Sequence, residues 1–329
     1  MKIKNFSLLL LVFILSFTSC KKDDDGSNVS LVPERDRAEQ QIEDKANLLE
    51  YLETHYYNAS TFSTPGNYTI SDIIITELPE DGVLPDPSNN TLLIDAVEIK
   101  TSTFADVQYE YYILKLNQGG GDTPNFTDDV KVNYEGSLLD EDVFDFTINS
   151  TVFDLLSLVE GWNKVMPEFN TATSFIINED GTEQYDDYGL GVMFLPSGLG
   201  YFSSPPFGSS IPAYSNLIFK FELYQTEAND HDNDGVFSHL EDLNMNSDLL
   251  DDNTDGDNLS NFIDADDDGD GTLTINEDLE PDSDLLVDRN NDGDPTNDIG
   301  DGDPTNDDTD GDGIPNYLDT DNTESRLDE

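Results

Sequence analysis

The 329-residue chain carries 72 acidic against 14 basic side chains, a formal charge of −58. Phosphate backbones bind positive surfaces, so this balance excludes nucleic acid as a partner and favours cations or cationic molecules. Hydrophobic residues make up 36%, low for one packed globule of this length, so part of the chain is expected to lack an apolar core.

Met1 to Ser19 reads as an export signal: Lys2 and Lys4 precede the apolar stretch Leu8 to Phe17, which is too short for a stable membrane span. The signal ends in Phe17-Thr18-Ser19-Cys20, which resembles a bacterial lipobox. Cys20 is the only cysteine, so no intramolecular disulfide forms; it is either the lipidated first residue, attaching the protein to a membrane, or the stray thiol of a secreted chain. Lys21-Lys22-Asp23-Asp24-Asp25 resembles the tag that sends Bacteroidota lipoproteins to the outer face of the outer membrane. Residues 20–32 then form a tether.

Residues 33–106 are expected to hold a helix and short strands. Pro33 suits a first helical position, and Ile42, Ala46, Leu49 and Tyr56 fall near one face of a helix from Pro33 to Tyr57. That face either packs on its own domain or makes a homodimer contact or spacer. Ile73 to Ile75, Leu92 to Ile94 and Val107 to Leu116 are strand-like runs, separated by Pro-, Gly- and Asn-rich connections.

Val130, Val132 and Tyr134 alternate with Lys131, Asn133 and Glu135, the period of a half-buried strand, before a polar turn and a second apolar piece at Val143-Phe144. Val130, Val132, Tyr134, Gly136, Leu138, Asp140, Phe144 and Asp145 resemble, at their spacings, the first core hairpin of the FKBP-type peptidyl-prolyl isomerases. Phe153-x-Leu155, then Leu158-Val159-Glu160-Gly161-Trp162, resemble that family's next block. Leu195 to Tyr201, then Ile211-Pro212 and Leu217 to Leu223, resemble its last. The resemblance covers 107–224 and implies an α+β fold in which an antiparallel sheet wraps a short helix. It departs at Glu141, where the family usually has Gly; at Thr151, near a usual second aromatic; at Phe202, another usual Gly; and at Phe207 before Ile211. Asn170 to Gly189 reads as an inserted hairpin or flap.

The resemblance also implies a reaction and its parts. Rotating a planar peptide bond meets a barrier of about 18–20 kcal/mol, and a dry pocket that favours the less polar twisted amide lowers it without a cofactor. Trp162 would form the floor; Tyr134, Phe144, Leu158, Val159, Ile211 and Phe219 would line the pocket. Tyr201 would donate its hydroxyl to a substrate carbonyl, Asp145 would make a polar contact at the rim, and the Val159 N–H would bind the carbonyl beyond the proline. Val130, Leu155, Leu217, Phe221 and Leu223 read as core. The expected activity is prolyl isomerisation of proline-containing polypeptides during the folding of exported proteins. The alternative is a prolyl-peptide binder, or a calcium-dependent surface module, with little turnover.

After Tyr224 apolar runs give way to Asp, Asn and Gly, and 227–329 form an acidic tail. Asp230, Asp232, Asp234, Val236 and Glu241 occupy positions 1, 3, 5, 7 and 12 of an EF-hand-like loop, as do Asp266, Asp268, Asp270, Thr272 and Glu277. That spacing supplies carboxylates, one backbone carbonyl and a closing two-oxygen Glu to calcium. Asn253, Asp255, Asp257 and Asp264, and Asp308, Asp310, Asp312 and Asp319, form variants closed by Asp. A fifth start lies at Asp288 to Gly293, and Asp294 to Asp298 recurs as Asp303 to Asp307. Without long flanking helices the tail resembles thrombospondin type 3 arrays; the bland reading is a solvated acidic spacer. His231 and His239 read as incidental, because hard oxygen sites suit calcium rather than zinc.

Overall fold

The computed structural model describes residues 34–278 and 304–325; the signal segment, Cys20, the tether, Pro33 and the acidic repeats from Asp288 to Asp298 lie outside them. Helix α1 spans Arg37–Thr54 and is capped by Asp36, whose carboxylate accepts the Glu39 N–H at 2.9 Å. It ends where His55 turns extended, so Tyr56 belongs to strand β1 (His55–Tyr57) and not to the helix. The buried face is Gln40, Gln41, Asp44, Leu48, Tyr51 and Leu52, not the expected Ile42 and Ala46 stripe; Ile42 is 74% exposed. The pattern misleads because three polar residues, Gln40, Gln41 and Asp44, point inward, and Gln40 and Asp44 are hydrogen-bonded to each other there. The helix packs on its own domain, so a homodimer contact through it is left to the outward face that carries Ile42.

Strands β2 (Ile75–Glu77) and β3 (Thr91–Leu92) flank β1 in a small antiparallel sheet. They are offset from the apolar runs: β2 begins only at Ile75, the last residue of the run Ile73 to Ile75, and β3 ends at Leu92, where the 3₁₀ turn Leu93–Asp95 takes up the rest of the run Leu92 to Ile94.

The main sheet is built from β4 (Glu98–Phe104), β5 (Val107–Asn117), β6 (Asp129–Ser137), β7 (Val143–Phe146) and β8 (Thr151–Asp154), and from two later strands. Helix α2 (Glu160–Val165) follows β8, then the hairpin β9 (Ser174–Ile177) and β10 (Glu183–Asp186), then β11 (Gly189–Leu195) and β12 (Leu217–Glu227). The antiparallel order is β4-β5-β11-β12-β6-β7, with β8 also on β6. β4 was not anticipated. It joins β5 through the two-residue turn Ala105-Asp106, both at positive φ, the geometry that matches strand twist in a tight hairpin. The β4–β5 pair therefore runs across the boundary expected at 107.

Both faces of this sheet are covered, so β11 is buried along its whole length. Val130, Val132, Tyr134, Leu217, Phe219, Phe221 and Leu223 face one core with Trp162, Val165 and Met166. Tyr112, Leu114, Val192, Phe194 and Ile218 face the other, with Leu48, Tyr51 and Leu52 of α1. The sheet thus wraps the short helix α2, as the α+β reading requires. Gly161 makes that approach possible: a Cβ there would lie 2.2 Å from Leu195 Cδ1.

Asp44 ties α1 to the β11–β12 connection. It is 1% exposed; its carboxylate accepts the Ser197 N–H (2.9 Å), the Ser197 hydroxyl (2.6 Å) and the Gln40 amide (2.7 Å). Its carbonyl accepts the Asn216 amide at 2.9 Å. Both ends of the connection that carries Tyr201 and Ile211 are held by this one residue.

The inserted segment does form a hairpin. It docks where Tyr185 stacks on Tyr224 (4.2 Å between centroids) and Glu183 pairs with Lys131 (2.6 Å), at the end of β12 remote from Phe219. In its described residues the tail is a run of turns and single 3₁₀ turns. It contacts the sheet domain through His231 and Asp154 (3.5 Å) and through Lys164 of α2, which donates to the Ser247 carbonyl (3.2 Å). A cavity of about 610 Å³ lies between them, lined among others by Phe104, Leu156, Leu249 and Phe262.

Candidate functional site

Sheet register assembles the apolar cup. On β12 Phe219 lies opposite Gly136 of β6 and Phe221 opposite Tyr134; on β7 Asp145 lies opposite Gly136. Phe144, Tyr134 and Phe219 therefore converge, and α2 adds Trp162 from below. Trp162 and Phe219 are 5.3 Å apart, Tyr134 and Trp162 5.6 Å at 85°, and Phe144 and Phe219 5.6 Å at 87°. These edge-to-face contacts fix ring orientation beyond what area burial does. Trp162, Phe219 and Ile211 are 3%, 3% and 7% exposed and form the base. Phe144, Leu158, Val159 and Tyr201 pack on the same core while half-buried, and form the rim. Val159 is the N-cap of α2.

Asp145 is exposed. Its Oδ2 accepts the Tyr134 hydroxyl at 2.5 Å and its Oδ1 the Phe146 N–H at 2.9 Å. Burial, then this hydrogen bond, raises the Tyr134 pKa; burial, then the Asp145 charge, raises that of Tyr201. Both hydroxyls therefore keep their protons throughout the neutral range.

The structure brings eight of the nine expected prolyl-site residues into one apolar cluster, joins the ninth, Asp145, to it through the Tyr134 hydroxyl, and leaves Leu155, Leu217, Phe221 and Leu223 in the core at 0% exposure. It adds Phe153, whose ring lies 5.7 Å from Tyr134 and 6.4 Å from Trp162; the F-x-L pattern around it was the available signal. Thr151 is a half-buried strand residue opposite Val132. Phe202 packs between Arg37 (4.2 Å) and Tyr214 (5.0 Å) at φ +49°. Phe207 is fully exposed.

The tail gathers a second set of groups. Carboxylate oxygens cluster within 4.8 Å in Asp230/Asp232/Asp234, Asp255/Asp257/Asp264, Asp266/Asp268/Asp270 and Asp308/Asp310/Asp312. In the first and last loops the opening Asp accepts three backbone N–H groups of its own turn. Asn253 accepts one, from Gly256. Gly235 and Gly271, at the sixth positions, sit at φ +102°, which side-chain-bearing residues rarely adopt. Val236 and Thr272 follow them, their N–H groups bound by Asp234 and Asp270. Burial, then the acids of their own loop and last Asp319 of the neighbouring loop, raises the pKa values of Asp268 and Glu277.

Several of these carboxylates are buried without a donor: both oxygens of Asp232, Glu241 and Glu277, and one each of Asp234, Asp266, Asp268 and Asp270. Burial, reinforced by neighbouring acids, pushes Asp232 up to about 8 and Glu241 and Glu277 to about 9. A buried carboxylate with neither donor nor cation is strongly disfavoured. Oxygen donors at this spacing fit a hard divalent ion.

Residues 231–286 match the family model described as BamM C-terminal. Over 113 residues the chain is 27% identical to the FKBP-type 22 kDa peptidyl-prolyl cis-trans isomerase of Escherichia coli (strain K12), covering 33% of this chain and 47% of that protein. It therefore spans about half the length of this curated relative. Among solved structures it is similar to a peptidyl-prolyl cis-trans isomerase of Pseudomonas syringae pv. tomato, at 22% identity over 39% of this chain and 80% of that one, TM-score 0.30. It is also similar to FkpA of Escherichia coli, at 24% identity over 39% of this chain and 51% of that one, TM-score 0.30. Over about a third of its length, and at low identity, the chain is similar to FKBP-type peptidyl-prolyl isomerases.

Proposed function

We propose that this protein is a peptidyl-prolyl isomerase acting on proline-containing polypeptides, exported, anchored through a lipid on Cys20, and carrying a calcium-binding tail. The observation that carries the catalytic reading is the aromatic cup of Tyr134, Phe144, Phe153, Trp162 and Phe219, with two protonated tyrosine hydroxyls at its edge. A proline ring seated on Trp162 leaves water. The amide beside it then lies in a medium that favours the twisted, less polar state over the planar one. The Tyr201 hydroxyl would hold a substrate carbonyl while the bond turns. The hydrogen bond to Asp145 would fix the Tyr134 ring against the base of the cup. No bond is made or broken, so no nucleophile or proton transfer is required.

A form beginning after Asp25 should accelerate cis–trans exchange of Leu-Pro or Phe-Pro peptides. Phe144→Ala and Tyr201→Phe should slow it with the fold intact. A folded wild type no faster than buffer would reduce the site to a prolyl-peptide binder.

The lipobox and the Lys21 to Asp25 run support an outer-membrane, surface-exposed location; the family match over 231–286 bears only on association with the outer membrane. Added protease should shave the protein from intact cells, and Cys20→Ser should abolish lipidation. For the tail, the donorless buried carboxylates support calcium, which the Glu-closed loops would hold through Asp230, Asp232, Asp234 and Glu241, and through Asp266, Asp268, Asp270 and Glu277. Bound calcium would supply the positive charge that these acids lack.

A further inference from the structure

Asp267 is the second residue of the loop 266–277, a position the twelve-residue pattern leaves open. Its carboxylate is nevertheless among the most deeply buried in the tail. The residue is 1% exposed, and neither Oδ1 nor Oδ2 has a hydrogen-bond partner. No Lys or Arg occurs between Lys220 and Arg289 to neutralise it. The carboxylate faces away from its own loop's acids. Its oxygen lies within 4.8 Å of oxygens of Asp234 and Glu241, both 1% exposed, and Asp234 in turn groups with Asp230 and Asp232. Glu241 also has two donorless oxygens and Asp234 one.

The neighbouring residues explain the arrangement. Asp266 and Asp268 group with Asp270 inside their own loop. Asp267 and Asp268 are the central residues of a turn closed by the Gly269 N–H on the Asp266 carbonyl (3.0 Å), and across that turn Asp266 and Asp268 group with their own loop while Asp267 groups with Asp234 and Glu241. The Asp267 N–H lies 3.4 Å from the buried Thr274 hydroxyl, which fixes the run at the junction.

We infer that Asp267 is a ligand of the cation held by the first loop, so that one divalent ion bridges residues 230–241 to residues 266–277. This rests on the reading of the tail as a calcium binder. The ion would then act as a crosslink between two loops distant in sequence, and not only as the organiser of one turn.

The test is calcium titration calorimetry, with thermal melting in chelator and in calcium, on the chain downstream of the export signal. Wild type is compared with Asp267→Asn and, as a second variant, Asp267→Ser. Both variants should lose one calcium site or bind it at least ~10-fold more weakly, as removal of a charged ligand implies. In chelator both should melt at or above the wild-type temperature, because a donorless buried charge has gone; in calcium both should melt below it. Calcium stoichiometry and affinity equal to wild type would overturn the bridge while leaving the tail a calcium binder. Lower melting in chelator would overturn it in favour of a packing role for Asp267. A wild type that takes up no calcium would overturn the bridge and the tail reading together.

Discussion

Asp44→Ala is expected to damage stability and catalysis together, although the residue lies far from the cup in sequence. Three donors lose their acceptor: the Ser197 N–H, the Ser197 hydroxyl and the Gln40 amide. Each buried orphan costs about 1–3 kcal/mol. They share one site, so the costs do not add in full. Two terms oppose the loss. Ala favours helix over Asp by about 0.5 kcal/mol, and burial already raises the Asp44 pKa, so some desolvation cost disappears with the carboxylate. The net expectation is about 2–3 kcal/mol, or about 4–12 °C in Tm for a chain of this size. Glu43→Ala, which removes an exposed pair with Arg35, is the control and should lie within about 0.5 kcal/mol of wild type. Because the Asp44 carboxylate holds the Ser197 end of the connection carrying Tyr201 and Ile211, while the Asn216 end stays on the backbone carbonyl, kcat/KM for a Leu-Pro peptide should fall at a temperature where the variant remains fully folded. A melt within about 1 kcal/mol of wild type would refute the buried-acceptor argument. A large loss of stability with unchanged kcat/KM would refute the positioning argument alone.

Phe153→Ala should slow isomerisation about tenfold, equivalent to about 1.4 kcal/mol of lost contact with the bound proline; an unchanged rate would place Phe153 outside the site. Glu141 sits at φ +66°, so Glu141→Gly should raise stability by about 0.5–1 kcal/mol in denaturant melts. Glu241→Gln combined with Glu277→Gln should remove two calcium sites by calorimetry while the sheet domain melts as before. Glu241 and Glu277 are pushed up to about 9 from an ordinary 4.5. In chelator their contribution to tail order is full below the unfolded pKa and is lost as pH rises through the folded one. Limited proteolysis in chelator should therefore find the tail increasingly cleaved between about pH 5 and 10. In calcium the trend should be absent or reversed, because ligation needs the deprotonated form.

The prolyl cup was legible because its residues follow rules that act over short distances. Strand period set Val130, Val132 and Tyr134 on one face, and Gly161 beside Trp162 marked the place where helix meets sheet. Helix α1 was legible as a helix but not in its orientation. Its inward face is chosen by a partner at Ser197, 153 residues away, and no local pattern announces that an Asp will be buried. β4 was missed because an edge strand with Glu98, Lys100 and three hydroxyl residues shows little apolar alternation. The calcium-loop spacing placed most tail acids, yet passed over Asp267, since the repeat treats its position as filler. The departures at Glu141 and Phe202 are both left-handed residues where a side chain replaces Gly. Phe202 is held there by Arg37 and Tyr214, partners that only the fold brings together.

Among the described residues β12 is the last strand, and it lies in the interior of the sheet, between β11 and β6. Until residues 217–227 are in place, β6 and β11 each present an unpaired edge, and an unpaired edge is a template for aggregation. The β4–β5 hairpin can form early, but the sheet closes only through pairings such as Phe221 with Tyr134, across nearly the whole domain. Such distant pairing makes folding slow. If the chain is exported unfolded, as proposed above, it would spend its folding time exposed at these two edges, and truncation before Glu227 should leave them so permanently. The same topology places the acidic segment immediately after the closing strand. The segment that follows the most vulnerable step of folding is also the most highly charged part of the chain, and like charge on two unfinished copies keeps them apart.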